Sequence, residues 1–121
     1  MKSFLIAAIG LLYFAFTAKE KLTGTWQRIN ETGPAYQVIF REDSTYDVLV
    51  NEKQGVTGKY QLKNDLLTID DTGCPQMTGT YKVSFNSTGD SCRMEVINDD
   101  CGGRRQTADG ATLVRVKKFK L

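Results

Sequence analysis

The chain contains no histidine, and only two prolines, one tryptophan and three cysteines among its 121 residues. Without histidine, the commonest general acid–base group and the commonest metal ligand are both missing. No serine sits in a Gly-x-Ser-x-Gly nucleophile elbow. Three cysteines with no histidine leave little from which to build a zinc site. These absences argue against an enzyme and against a metal or other cofactor. An excess of one charge is also lacking, since 16 Lys and Arg stand against 14 Asp and Glu. Setting aside Lys2 brings the balance closer still, so no long-range attraction to nucleic acid or anionic membrane is expected. The basic close, "KKFKL" at 117–121, reads as a solvated tail.

What is present begins with one long apolar run. In "MKSFLIAAIGLLYFAFTA" a single Lys2 precedes uncharged residues from Phe4 to Phe16, the layout of a secretory signal peptide. Residues 1–18 are read as that leader and 19–121 as one domain. Cleavage after Ala18 leaves Phe16 three places from the cut, whereas cleavage after Thr17 puts Ala15 there, and both stay open. An uncleaved anchor is disfavoured because the run falls short of the roughly 20 residues of a spanning helix. No stable membrane span is therefore expected once the leader is removed. Export implies an extracytoplasmic compartment, secreted or periplasmic, where disulfides form. Two acceptor sequons, "NET" at Asn30 and "NST" at Asn86, fall in expected turns and would matter only in a eukaryotic secretory pathway.

From residue 22 onward, short runs of Val, Ile, Thr, Tyr and Phe alternate with turn clusters such as "ETGPA", "EKQG" and "NSTGD". Eight strands are predicted, at 22–30, 35–41, 45–51, 56–63, 66–71, 78–86, 91–98 and 111–118. The stretch 99–110, "DDCGGRRQTADG", could hold a helical turn but has no apolar stripe to dock one. With no amphipathic helix to cover an open sheet, eight short-linked strands favour closure into an antiparallel up-and-down β-barrel, strand eight beside strand one.

That topology sets the loops after strands one, three, five and seven at one rim. Cys74 and Cys101 lie in two of those loops and are the expected disulfide, which would contribute roughly 3–4 kcal/mol. Cys92 alternates with Met94 and Val96 and reads as a buried core thiol, with Cys92–Cys101 the competing pair. The acidic doublets Asp70–Asp71 and Asp99–Asp100 read as turn residues facing solvent. Arg104 and Arg105, in "CGGRR", could grip an anion, but a solvated loop anchored by the bridge is favoured.

Three times the chain writes Thr-Gly-x-aromatic: "TGTW" at 23–26, "TGKY" at 57–60 and "TGTY" at 78–81. Glycine and aromatic then share a strand face, where glycine relieves crowding in a tightly bent barrel. Tyr60 and Tyr81 are expected below the mouth and Trp26 at the floor. "LTGTWQRI" resembles the first-strand Gly-x-Trp signature of the lipocalins and the wider calycin superfamily. That resemblance implies an arginine on the last strand packed over the tryptophan, and "ATLVRVKK" supplies Arg115 there. Absent are the helix after strand eight, the Thr-Asp-Tyr turn of typical lipocalins and the helical lid of fatty-acid-binding proteins. The chain is most similar to compact lipocalin-like domains of exported bacterial proteins.

The resemblance implies a noncatalytic binder of a small hydrophobic or amphipathic ligand in the barrel mouth. The candidate ligand-binding residues are Tyr36, Phe40, Tyr46, Tyr60, Tyr81 and Phe85, with Trp26 and Arg115 structural. The mouth is expected at 30–35, 51–55, 71–77 and 98–110. The alternative is a protein-binding barrel, such as a secreted protease inhibitor, with its interior filled by side chains and its contact made by a rim or by "AKEKL" at 18–22.

Overall fold

In "YQVIF" the residues Tyr36, Val38 and Phe40 are buried and the two between them only partly so. The same period-two burial runs through "GTYKVSF" and through the first half of "SCRMEVIN", one face of each strand turned inward. A computed structural model describes residues 17–29 and 35–117. Residues 1–16 of the expected leader (1–18), Asn30 with the 30–34 part of the first expected mouth loop, and the tail from 118 lie outside the described residues.

A short helix α1 (Ala18–Leu22) is followed by β1 (Gly24–Ile29), β2 (Tyr36–Phe40), β3 (Thr45–Val50), β4 (Lys53–Lys63), β5 (Leu66–Asp71), β6 (Gly79–Phe85) and β7 (Ser91–Asn98). A second helix α2 (Gly102–Ala108) precedes β8 (Thr112–Arg115). The strands close in sequence order into an antiparallel up-and-down barrel. Trp26 is registered with Val38 on β2 and with Arg115 on β8, so the closing seam runs through the only tryptophan. Register shifts at Val48/Leu49 and Thr80/Tyr81 mark bulges of the kind that bend strands round a narrow barrel. All eight expected strands are present, with β4 beginning earlier than expected, at Lys53.

The floor is solid. Trp26, Tyr60, Leu67, Val83 and Leu113 are fully or almost fully buried. Phe40 meets Tyr60 edge-on at 4.9 Å between ring centres, and Trp26 lies 6.2 Å from Phe85. The Arg115 guanidinium sits 4.3 Å from the Trp26 ring and donates to the carbonyls of Thr23 and Lys21. Gly24 makes this approach feasible: its φ is +133°, and a Cβ there would lie 2.6 Å from Arg115 Nη1.

Two expectations are corrected. The segment "AKEKL" is no free arm but helix α1, with Leu22 wholly buried against the floor and its carbonyl accepting from Trp26 Nε1 at 2.7 Å. Lys19 Nζ further ties it to Ser44 Oγ at 2.8 Å. The stretch 99–110 likewise carries a docked helix, α2, although it has no apolar stripe; Ala108 packs on the core and the Thr107 carbonyl accepts from the Tyr36 hydroxyl. Its main attachment is ionic and belongs to the mouth.

Candidate functional site

Above the solid floor the barrel holds a partly open cavity of about 490 Å³. This is within the range of roughly 300–1,000 Å³ usual for small-molecule sites. Strands β2 to β5 supply most of its wall, Tyr36, Val38, Phe40, Tyr46, Val48, Val50, Val56, Leu67 and Ile69. Met94 closes the wall from β7, and the Cys74 and Cys101 loops with α2 form the upper margin. The lining is mostly aliphatic and aromatic; its polar side chains are Asp71 and Arg104, which meet at one end, and Thr107 on α2, whose hydroxyl donates to the Gly103 carbonyl.

Asp71 ends β5 and Asp99 follows β7, and each folds back on the loop it begins. Asp71 Oδ1 accepts from the backbone N–H of Gly73 and of Cys74, at 3.0 and 3.3 Å, and Asp99 Oδ1 accepts from Cys101 N–H at 3.0 Å. Such side-chain turns satisfy loop donors that have no ladder partner. They also set the two cysteines at the same rim, where Cys74 and Cys101 are joined as a disulfide with Cα atoms 6.0 Å apart. Cys92 is free and buried, as expected; burial pushes its thiol up to about 12, with Arg115 pulling weakly the other way.

Arg104 reaches into this frame from α2. Its Nε and Nη2 each meet one oxygen of Asp99 at 2.8 Å, Nη2 also donates to the Met77 carbonyl, and Nη1 lies 3.3 Å from Asp71 Oδ2. The Arg104 side chain is only 9% exposed, Asp71 6% and Asp99 not at all, so these charges are satisfied by one another rather than by water. Two hydroxyls complete the cluster from inside the barrel, Tyr46 donating to Asp71 and Tyr81 to Asp99.

The titration behaviour follows from this packing. Burial, then the hydrogen bond to Asp71, raises the Tyr46 hydroxyl well above its ordinary value; burial and Asp99 do the same to Tyr81. Burial alone would raise the Asp99 carboxyl, but hydrogen bonds from Arg104, Tyr81 and the Cys101 N–H outweigh it and hold the value below the ordinary one. The hydrogen bonds to Asp99 raise Arg104 further, so it stays charged. Gly79 leaves room for the arrangement, since a Cβ there would fall 2.7 Å from Asp99 Oδ2 and 3.0 Å from the Tyr81 ring.

Of the six candidate ligand-binding residues, Tyr36, Phe40 and Tyr46 line the cavity, while Tyr60, Tyr81 and Phe85 are not among its lining residues. Tyr60 is far along the long strand β4 and donates to the Arg41 carbonyl in a floor loop at 2.6 Å. The Tyr81 hydroxyl is taken up by Asp99, and Phe85 lies beside Trp26 at the floor. The acidic doublets are also corrected: Asp70 is exposed, but Asp71 and Asp99 turn inward because Arg104 compensates them. Arg104 grips an anion as one reading of "CGGRR" allowed, but the anions are the protein's own carboxylates, and Arg105 stays at the surface. Among the described residues no cluster of His, Cys, Asp and Glu is arranged to hold a metal ion, and no helix is long and apolar enough to cross a membrane. Val50, Leu67 and Met94 also line the cavity and are not among the residues expected from sequence to bind a ligand; the inward parity of Leu67 and Met94 does not distinguish a cavity wall from a filled core. No family model matches the chain, and no curated protein or solved structure matches it either.

Proposed function

We propose that this chain is an exported, noncatalytic, lipocalin-like carrier or sensor of a small apolar or amphipathic molecule held in the mouth half of the barrel. The observation that carries the reading is the 490 Å³ apolar cavity with a single polar end, closed below by the Trp26 floor. A bridge in the mouth, Cys74–Cys101, suits an oxidising, extracytoplasmic setting. Burying about 300 Å² of apolar ligand surface would supply roughly 7 kcal/mol before the costs of association, which points to micromolar affinity or weaker.

Titration of a neutral environment-sensitive dye such as Nile red, followed by displacement with alcohols, retinoids and fatty acid esters, tests the reading. Val48→Trp and Val56→Trp fill the cavity from two strands and should abolish binding while leaving the fold intact. Equal binding by the wild type and both variants would move the ligand elsewhere and end this proposal.

A second reading, a protein-binding barrel, draws on Ile29, Val50, Met77 and Ile97, all exposed and all at strand ends or loops of the mouth rim. It calls for a filled interior, and the cavity weighs against that. Loss of a protein partner on Ile29→Ser and Ile97→Ser, with dye binding unchanged, would favour it.

A further inference from the structure

We propose that the cavity takes molecules whose polar end is an uncharged oxygen acceptor, such as an alcohol, ester or amide, and rejects those ending in a carboxylate. This deepens the ligand-binding reading above and rests on it. Nearly all donors and acceptors at the polar end are already paired with one another.

Each of the two carboxylates is full. Asp99 accepts four hydrogen bonds, two from Arg104, one from Tyr81 and one from the Cys101 N–H. Asp71 accepts from Tyr46, Gly73 and Cys74, with Arg104 Nη1 against its remaining side. A carboxylate offers about four lone-pair sites, so neither has capacity left for a ligand donor. Tyr46 and Tyr81 have spent their protons on these groups, and Tyr36 has spent its own on the Thr107 carbonyl. One donor group is left over: Arg104 Nη1 is buried and makes no hydrogen bond, and Arg104 lines the cavity. A buried unpaired N–H is costly, and a ligand oxygen at this end relieves it once Arg104 turns slightly from Asp71.

Charge then separates the possible oxygens. One guanidinium sits between two carboxylates, leaving the cluster one negative charge in excess, and exposed Asp70 adds a screened charge of the same sign. Arg105, next along α2, is exposed and offsets Asp70 with a screened charge of its own, and Arg28 lies over the Tyr36 ring at 5.4 Å; neither is among the lining residues. A ligand carboxylate would therefore lose its water and meet net repulsion, with one shared N–H in return. An ammonium head would be attracted by the excess negative charge, but it would lose its water and find the lone-pair sites of both carboxylates already occupied. A neutral oxygen needs only what the site has to give.

Displacement of Nile red by chain-matched decanol, methyl decanoate, decanoate and decylamine at neutral pH tests the inference on the full folded protein. The two neutral compounds should bind, and both charged ones should bind roughly tenfold more weakly or worse. Asp71→Asn removes the excess charge at nearly constant shape and should narrow the gap between decanol and decanoate. Binding of decanoate or decylamine as tight as that of decanol overturns the inference and leaves the ligand-binding reading standing, as does an unchanged gap in folded Asp71→Asn. Failure of all four compounds to displace bound dye overturns the inference alone, whereas failure of Nile red itself to bind sinks both.

Discussion

Arg104 and Asp99 form a two-pronged ion pair, Nε and Nη2 of the guanidinium each 2.8 Å from a different carboxylate oxygen, with the Asp99 side chain wholly shielded from solvent. Five residues apart in sequence, they bind α2 to the end of β7 and so hold the roof of the cavity. Breaking a buried pair from one side strands the other charge, at about 3–5 kcal/mol. Arg104→Ala should therefore cost that much in denaturant titration while Trp26, at the opposite end, keeps its fluorescence. A loss below about 1 kcal/mol would put the pair in the class of surface bridges.

Acid should undo the same pair. Asp99 is held below its ordinary value in the folded state, so its contribution is fully present above about pH 4, where the unfolded carboxyl is ionised, and is lost as pH falls through the lowered folded value. Asp99→Asn should accordingly be less stable than the wild type at neutral pH, and the two should converge below about pH 4. Parallel stability curves down to the acid limit would show that another carboxylate governs acid unfolding.

At the floor, Arg115→Ala removes a guanidinium 4.3 Å from the indole and two hydrogen bonds to carbonyls. A loss of roughly 1–3 kcal/mol is expected. The Trp26 emission should shift with it, whereas Arg104→Ala leaves emission unchanged. The reverse pattern would contradict the closing register between β1 and β8.

Peptide mapping without reductant should recover Cys74 joined to Cys101, and Cys74→Ser should destabilise by about 3–4 kcal/mol with strand content retained. Cys92 should resist thiol reagents at about pH 8 until the protein unfolds, because burial raises its thiol and blocks access. Rapid labelling of Cys92 in the folded state would place β7 wrongly.

Much of the barrel was legible because strand formation leaves a local signature. Residues such as Tyr36, Val38 and Phe40, or Tyr81, Val83 and Phe85, alternate with polar neighbours, and a side chain's face is set by its parity. Strand order then followed from short links, and the Cys74–Cys101 pairing from strand order. Trp26 and Arg115 are matched through the resemblance to Gly-x-Trp barrels, which implies an arginine on the last strand over the tryptophan, and the pairing of β1 with β8 sets Arg115 there.

The candidate site was legible only in part. Parity says that Tyr60 and Tyr36 both point inward, but the depth of each along the axis depends on where β4 begins and on barrel shear, which no local pattern records. An aspartate that will be buried looks like one that will be solvated: Asp71 and Asp70 differ only by parity at a strand end, where turn residues usually face water. The docking of α2 was hidden for the same reason, since its anchor is a charge that meets Asp99, itself read as solvated, together with Asp71 and the Met77 carbonyl from a distant segment.

The sequence by itself determined the strands, their inward faces, the closed topology and the pairing of cysteines, because each depends on local alternation or on chain order. Only the tertiary structure decided that the floor is filled while the mouth is hollow, that "AKEKL" is a docked helix, and that Arg104 lies buried between Asp71 and Asp99. Those outcomes depend on three-dimensional volume and on the mutual compensation of charges brought together from separate loops, and neither quantity is a property of any single stretch of chain.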